Sequence, residues 1–523
     1  MRVLFITTPY SVEEHPMPPL SLSYLAGILL AHGTEVEMLD LLTSKASPAK
    51  IQRKLEQYQP HMVGTTCVTM SFPAAARILK VCKEFDPRIV TVIGGPHVSF
   101  AADDTFRRAP WIDVIVAGEG DMTVPELVSA LDRHTDLAQV PGIFLHQDGR
   151  VIKTSPRPLI QKIDELPFPA RHLLPLSRYR AFGAACSVIS SRGCPYGCIF
   201  CSAPRMFGKK VRFRHPERVV DEIELIHRDL GFDRVNIVDD TFTLNHRHTK
   251  ALCHELIRRN LPVEWNAYSR VDTLTGELLE MMREAGCTFL VFGIESGSQE
   301  ILDTIKKGIT LEKVRSAVKL TSAAGINGFA SFILGLPGET PETAHRTVAL
   351  ARELFEGYGI RYGFHFLSPF PGTEVYEKAG EFGVRILTRN WARYNANEPI
   401  TETTPASLAT VREIVAGYDR DIVLAWESIR EMAEAGDEAC AESLRVRQTS
   451  DFVWELLKGD LIESLGKIRG STTPQQAEEK LVQVLSQKVS ASPDVTRHEI
   501  SRLLQKGLLK SEPSKNGFTW HWA

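Results

Sequence analysis

The sequence lacks any apolar run approaching the roughly 20 residues that a membrane-spanning helix needs. Its first ten residues contain a single arginine and follow the pattern of a strand, so they do not predict a signal peptide. The formal net charge of -3 gives no support to an extended nucleic-acid surface. Nine cysteines in 523 residues are a low and odd number for a disulfide framework. These absences predict a cytoplasmic protein with reduced thiols, no membrane span and no nucleic-acid partner.

What is present is ordinary for a globular chain, with 43% hydrophobic and 24% charged residues and a length sufficient for two to four domains. Residues 1–145 alternate short apolar runs with segments of helical periodicity. Arg2 to Thr8 is the first such run, and Leu20 to Ala31 is the first helical segment. This alternation predicts a doubly wound α/β domain, in which ligands bind beyond the carboxyl ends of the strands.

Three glycine-rich loops follow the predicted strands of this domain, at Gly64 to Ser71, Gly94 to His97 and Gly118 to Asp121. Glycine lets the backbone approach a ligand closely, and the hydroxyl groups offer uncharged hydrogen bonds. The alternative is that each glycine only forms a tight turn. A flavin or a nucleotide is the other ligand to weigh, but no G-x-G-x-x-G or P-loop pattern follows the first strand.

The segment Ser191 to Cys201 contains Cys194, Cys198 and Cys201 in the spacing Cys-x3-Cys-x2-Cys. Three thiolates can bind three irons, whereas a 4Fe-4S cluster normally takes four cysteines. One iron would then remain open for a small molecule. A structural zinc site needs four ligands, usually in two close pairs, and only Cys186 is near enough in sequence to add one. The spacing therefore predicts a 4Fe-4S cluster with one open iron.

After this motif the strand and helix pattern resumes, and six repeats predict about three quarters of a (β/α)8 barrel over residues 183–395. A proline-rich linker, 146–182, precedes it. Active residues of barrels gather at the carboxyl ends of the strands, where Asp239, Asp240, Arg270 and Glu295 lie here. Residues 396–523 predict a helical region with a winged-helix-like end. For that end we favour a packing or protein-binding role over DNA binding.

The cysteine spacing, with the aromatic Phe200 directly before the third cysteine, resembles the radical S-adenosylmethionine (SAM) superfamily. In that family the open iron chelates the amino and carboxylate groups of SAM, and an electron from the cluster cleaves SAM to a 5'-deoxyadenosyl radical. The resemblance implies that Asp239 and Asp240 face the amino group of SAM and that Arg270 faces its carboxylate. It implies that Glu295 and Ser296 meet the ribose hydroxyls or the amino group, with Phe200 also at the SAM site.

An α/β domain placed ahead of this motif resembles the cobalamin-binding domain of cobalamin-dependent radical SAM proteins. The matching positions are the proline loop before Leu20 and the residues Thr66, Thr69, Gly94, Gly95, Pro96, His97, Gly118, Glu119 and Gly120. The Asp-x-His-x-x-Gly motif by which many cobalamin domains offer histidine to cobalt is absent. The resemblance therefore implies cobalamin without a protein imidazole on the metal. For His97 we favour a hydrogen bond to a phosphate, an amide or the backbone.

Together these resemblances imply a C-methyltransferase that transfers a methyl group from cobalamin to a substrate radical, although no catalytic residue is assigned. A cobalamin-dependent oxidative cyclase of the magnesium-protoporphyrin monomethyl ester type is the nearest alternative. A tRNA methylthiotransferase would need a further cysteine trio, and a cobalamin carrier or sensor would leave the cluster motif idle. The implied partners are an electron donor such as flavodoxin or ferredoxin and a small-molecule substrate. Polycyclic lipids, tetrapyrroles and natural-product intermediates are all compatible with the sequence.

Overall fold

A computed structural model describes residues 1–9, 16–147, 150–403, 408–471 and 473–523 of the chain. The N-terminal domain is built on a seven-stranded sheet in the order β2-β1-β3-β4-β5-β6-β7. The first five strands in this order are parallel to one another. Strand β6 is antiparallel to β5, and β7 is antiparallel to β6. The strands are β1 Arg2–Ile6, β2 Glu35–Leu39, β3 Met62–Thr66, β4 Val90–Gly94, β5 Val114–Val116, β6 Ile143–Gln147 and β7 Arg150–Lys153.

Helices cover both faces of this sheet, as the predicted doubly wound fold requires. They are α1 Leu20–Ala31, α2 Pro48–Tyr58, α3 Phe72–Phe85, α4 Pro96–Phe100, α5 Ala102–Arg108 and α6 Thr123–Asp132. Local chemistry explains individual boundaries. The Ser47 side chain accepts a hydrogen bond from the backbone of Lys50 at the start of α2, and Pro48 occupies the first helical position.

The first domain continues past the boundary expected at residue 145, because β6 and β7 extend the sheet to Lys153. No strand is expected there from the sequence. Strand β6 follows α6 and is antiparallel to β5, so it does not continue the parallel alternation from which the boundary is predicted. Part of the proline loop before Leu20 lies outside the described residues.

The second domain is an open barrel of six parallel strands in the order β15-β14-β13-β12-β11-β8. This confirms the predicted partial barrel. Its strands are β8 Cys186–Val188, β11 Arg234–Ile237, β12 Glu264–Ser269, β13 Cys287–Glu295, β14 Asn327–Leu334 and β15 Arg361–Phe366. A separate two-stranded ladder, β9 Ser191–Arg192 with β10 Arg212–Phe213, brackets the cysteine loop.

Helices surround the barrel strands, and a small antiparallel ladder follows them. The helices are α7 Leu176–Ala181, α8 Ala203–Phe207, α9 Pro216–Arg228, α10 His246–Arg259, α11 Gly276–Glu284, α12 Gln299–Thr304, α13 Leu311–Ala323, α14 Pro341–Tyr358 and α15 Glu374–Glu377. The ladder pairs β16 Val384–Ile386 with β17 Thr401–Thr403. Trp391 and Tyr394, which lie between these two strands in the chain, pack into the hydrophobic core of the first domain.

The C-terminal region begins with a long helical hairpin, α16 Leu408–Glu434 and α17 Glu438–Lys458. Near its start α16 covers the edge strand of the barrel, where the Tyr418 hydroxyl donates to the carbonyl oxygen of Tyr362 at 2.5 Å. The remaining elements are α18 Leu461–Leu465, β18 Lys467–Arg469, α19 Pro474–Leu485, α20 Pro493–Gln505, β19 Leu509–Ser514 and β20 Gly517–Trp522.

This end has the strand and helix order of a winged helix, with a sheet ordered β18-β20-β19. It packs on the linker, since Arg502 of α20 donates to the carbonyl oxygen of Ala181 at 3.1 Å and Ala181 and Phe182 share its core. Across the described residues, no helix combines the length and the apolar character needed to cross a membrane.

Candidate active site

A cavity of about 490 Å³ lies where the carboxyl ends of the first sheet face the barrel. Its volume falls within the range of about 300–1,000 Å³ that is usual for ligand sites. The first domain contributes seven of the predicted cobalamin residues, namely Thr66, Gly94, Gly95, Pro96, Gly118, Glu119 and Gly120. The barrel side contributes Ile189, Ser191, Arg192, Met206, Phe207, Val238 and Asp240. Both domains therefore build one cavity.

The part of the cavity inside the first domain is an apolar slot lined by Phe5, Met62, Val92 and Val116. Its wall is shaped by close backbone packing. A Cβ atom on Gly95 would lie 2.3 Å from the carbonyl oxygen of Cys67, and the φ of Gly95 is +105°. Only glycine fits such a position without moving the backbone. An apolar slot beneath glycine and threonine loops suits a cofactor with a flat ring and an amide-bearing rim, and the residues present fit cobalamin.

His97 and Thr69 lie apart from this cavity, because the start of α4 directs His97 toward α3 and the segment after the barrel. The His97 Nδ1 is 3.3 Å from the Thr69 hydroxyl, and the ring packs against Phe72 and Trp391. Burial lowers the pKa of His97 to about 4, so the imidazole is neutral at pH 7. Its Nε2 atom has no partner among the described residues. In this position neither residue lines the predicted cobalamin site.

The β9 and β10 ladder joins the two ends of the cysteine loop. Within the loop, the Cys194 amide donates a hydrogen bond to the carbonyl oxygen of Gly208. Gly193 has a φ of +107° and lies close to the segment before β10. A Cβ on Gly193 would lie 2.9 Å from the carbonyl oxygen of Lys210. Glycine before the first cysteine is therefore required by the fold of the loop.

The three thiols are half-buried and electrostatically coupled to one another. Burial raises the pKa of Cys201 to about 11 and also raises that of Cys194, so iron binding must displace protons. The backbone amides of Ala203 and Tyr196 favour the thiolates of Cys201 and Cys194, respectively. No three His, Cys, Asp or Glu side chains in the described ranges surround one point as a single metal ion would require. Three free thiols in one loop fit a cluster that binds each thiolate at a separate iron.

Two buried ion pairs connect the predicted cobalamin loop Gly118 to Asp121 to the β9 and β10 ladder around the cysteine loop. Arg192 donates to Asp121 at 2.7 and 3.1 Å, and Arg212 donates to Glu119 at 2.9 and 2.8 Å. Burial alone would lower the pKa of Arg192, but the neighbouring carboxylates raise it on balance. Because charges at a buried interface need their partners, these contacts hold the two halves of the cavity in register.

The adjacent carboxylates at the end of β11 have different surroundings. Asp239 is buried and accepts four hydrogen bonds, from the amides and hydroxyls of Ser190 and Ser191, at 2.5–3.1 Å. Asp240 instead faces the cavity, where desolvation and the charge of Asp239 raise its pKa to about 6. Of the two, Asp240 has the carboxylate open to a ligand, whereas Asp239 joins the ends of two barrel strands.

Lys307 contacts three of the predicted SAM residues, Arg270, Glu295 and Phe200. Lys307 itself is not predicted from the sequence. The Lys307 Nζ donates to Glu295 at 2.7 Å and lies 5.8 Å from the centre of the Phe200 ring. Arg270 donates to the Lys307 carbonyl oxygen at 2.8 Å. Its guanidinium also lies 3.5 Å from the centre of the Tyr196 ring in the cysteine loop.

Ser296 is turned away from this group toward α14, with its hydroxyl 3.3 Å from that of Thr347. The sequence offers no signal that separates Lys307 from its neighbour Lys306. For Arg192 there is a weak signal, because it directly precedes Gly193 and the first cysteine.

Residues 188–351 match the Radical SAM superfamily, and residues 11–128 match the B12 binding domain. The chain is 37% identical over 406 residues to uncharacterized methyltransferase PH0819 of Pyrococcus horikoshii, which covers 76% of this chain and 87% of that protein. The chain belongs to the cobalamin-binding radical SAM family. Membership confirms the predicted enzyme class and the three predicted cofactors, a 4Fe-4S cluster, SAM and cobalamin.

This cobalamin-binding radical SAM enzyme is also similar to a cyclase and to a solved enzyme structure. It is 34% identical over 416 residues to the anaerobic magnesium-protoporphyrin IX monomethyl ester cyclase of Rubrivivax gelatinosus, covering 76% of this chain and 73% of that protein. The solved structure of the cobalamin-dependent SAM radical enzyme OxsB, with aqua-cobalamin and SAM bound, aligns with a TM-score of 0.70. That alignment covers 97% of this chain and 79% of the other at 18% identity, and it shows the shared fold.

Proposed function

We propose that this enzyme is a C-methyltransferase acting on an unactivated carbon of a small molecule. The observation that carries the proposal is the single cavity lined by the predicted cobalamin loops, by residues flanking the cysteine motif and by Asp240. When bound, the cofactors would supply a hydrogen-abstracting radical from SAM and a methyl group on cobalamin. A substrate carbon between them would have access to both.

The chain's own residues would position these reactants and exclude water. We propose that Cys194, Cys198 and Cys201 hold the cluster, and that Asp240 binds the ammonium group of SAM as its open carboxylate. The Arg192–Asp121 and Arg212–Glu119 pairs keep the cobalamin loops against the cysteine loop. Apolar side chains such as Ile189, Val238 and Phe207 line the barrel side and favour an apolar substrate surface.

An electron donor of the flavodoxin or ferredoxin class completes the proposal, because SAM cleavage at the cluster consumes one electron. A cytoplasmic location would suit reduced thiols and an oxygen-sensitive cluster. Polycyclic lipids, tetrapyrroles and natural-product intermediates remain the proposed substrate classes.

The second candidate is oxidative ring closure, which the relative from Rubrivivax gelatinosus supports. Incubation of the reduced, cobalamin-loaded enzyme with SAM carrying a labelled methyl group separates the two. Label in the product supports methylation, and a product without label that has lost hydrogen supports cyclisation. Absence of 5'-deoxyadenosine under reducing conditions, with or without candidate substrates, would contradict both and favour a carrier or sensor.

A further inference from the structure

A second cavity, a groove of about 460 Å³, opens beside α3 on the first domain. It lies where α3 and the residues around Trp111 meet the 3-10 turn Trp391–Arg393 that follows the barrel. Its lining includes the basic residues Arg77, Lys80 and Arg108 and the aromatic residues Phe72, Trp111 and Trp391. None of the predicted cofactor residues lines it. We call it the basic groove.

Three cations, Arg77, Lys80 and Arg108, line the basic groove. Arg108 is paired with the Asp104 carboxylate at 2.7 Å, and this carboxylate also accepts a hydrogen bond from the Trp391 ring at 2.8 Å, so Arg77 and Lys80 supply most of the open positive charge. Arg77 is exposed and has no ionic or hydrogen-bond partner among the described residues. Lys80 lies 5.3 Å from the centre of the Trp111 ring, and its ammonium group is 3.7 Å from the carboxylate of Glu84. Because the whole chain carries a net charge of -3, this local positive surface runs against the overall balance.

Aromatic side chains connect the floor of the basic groove with the cysteine loop. The Trp391 ring forms part of the floor, and its centre is 6.5 Å from that of Tyr376 on α15. The neighbouring residue Val375 donates its amide to the carbonyl oxygen of Ile199 at 3.0 Å. Ile199 directly follows Cys198. The groove is therefore connected to the cysteine loop by two packed rings and one backbone hydrogen bond.

We propose that the basic groove is the docking surface of a small acidic one-electron carrier protein that reduces the cluster. This inference rests on the proposed function, in which SAM cleavage consumes one electron. One electron leaves the carrier's reduced flavin or iron-sulfur centre and one enters the cluster, and no bond forms or breaks in that transfer. Opposite charge on the carrier supplies the recognition, while the Trp391 and Tyr376 rings bring the docking surface close to the cysteine loop.

Charge reversal at two exposed groove residues tests the proposal. The double variant Arg77→Glu/Lys80→Glu reverses the groove, and Lys313→Glu/Lys319→Glu, at exposed positions of α13, makes the same net change elsewhere. Calorimetric titration of each holoenzyme with oxidised flavodoxin at low and high salt measures docking directly. We expect the groove variant to bind about tenfold more weakly at low salt, with the difference shrinking at high salt. The α13 variant should bind like the wild type.

A second measurement separates docking from chemistry. Dithionite is a small reductant that needs no docking surface, so dithionite-driven SAM cleavage should be equal in the wild type and both variants. Flavodoxin-driven cleavage should fall only in the groove variant. Unchanged flavodoxin affinity in that variant, or an equal loss in the α13 variant, would overturn the docking proposal. No dithionite-driven cleavage in any of the proteins would instead contradict the proposed function.

Discussion

The ammonium group of Lys307 lies 2.7 Å from a carboxylate oxygen of Glu295, and both side chains are about 8% exposed. This ion pair is placed between the predicted SAM residues, since Lys307 also contacts Arg270 through its backbone and Phe200 through its charge. The adjacent Lys306 points outward and pairs with the carboxylate of Glu374 at 2.9 Å. Two neighbouring lysines thus have opposite environments.

Lys307→Met should lower SAM affinity, because it leaves the buried Glu295 without a partner. Breaking a buried pair costs about 3–5 kcal/mol, whereas a surface pair is worth about 0–1 kcal/mol. Lys306→Met is therefore the matched control and should behave like the wild type. Equilibrium dialysis with SAM, combined with iron analysis, measures the effect at constant cluster content. Equal SAM affinity in the two variants would remove Lys307 and Glu295 from the SAM site.

Cys198→Ala should abolish the cluster while cobalamin binding persists, because Cys198 does not line the cavity and the predicted cobalamin loops belong to the first domain. Cys440→Ala is the control, since Cys440 lies in the helical hairpin, where alanine favours the helix. Iron and cobalt are measured after anaerobic purification with cobalamin supplied. We expect about four irons per chain in the wild type and the control. Full iron in Cys198→Ala would show that the cluster ligands are assigned wrongly.

Gly120→Val should narrow the apolar slot of the first domain. A Cβ at this position would lie 3.3 Å from Leu25 and 3.5 Å from Val124, and both line the cavity. Overpacking of about 1–3 kcal/mol corresponds to a loss of cobalamin affinity of roughly 5-fold to 150-fold. Gly357→Val, on α14 with no atom within 4 Å of its Cβ, controls for the added side chain. Cobalt per chain is the measurement, and unchanged cobalt in Gly120→Val would place cobalamin elsewhere.

His97 should make the fold sensitive to mild acid. Its pKa falls from 6.5 to about 4 on burial, so its contribution to stability is present above pH 6.5 and is lost as the pH falls toward 4. The expected loss between pH 7 and pH 5 is about 2 kcal/mol from this group. His97→Phe keeps a ring beside Phe72 and Trp391 but cannot titrate. Thermal unfolding at the two pH values should therefore show a smaller acid shift in the variant, and an equal shift would contradict a buried neutral imidazole.

Several features of this enzyme were determined by the sequence alone. The bounds of α1 agree with the segment Leu20 to Ala31 that is expected from the sequence, because the apolar residues that define the helix lie within one segment. The cysteine spacing likewise indicates a cluster with an open iron, since the ligands lie in one loop. The six barrel strands are confirmed for the same local reason.

Only the tertiary structure decided which of two similar neighbours lies at the predicted site. It separates Lys307 from Lys306 and the open Asp240 from the saturated Asp239, and it directs His97 away from the cavity. It also joins Arg192 to Asp121, which lie 71 residues apart in the chain. Such partners are brought together by the packing of whole domains, and local periodicity carries no information about contacts between distant segments.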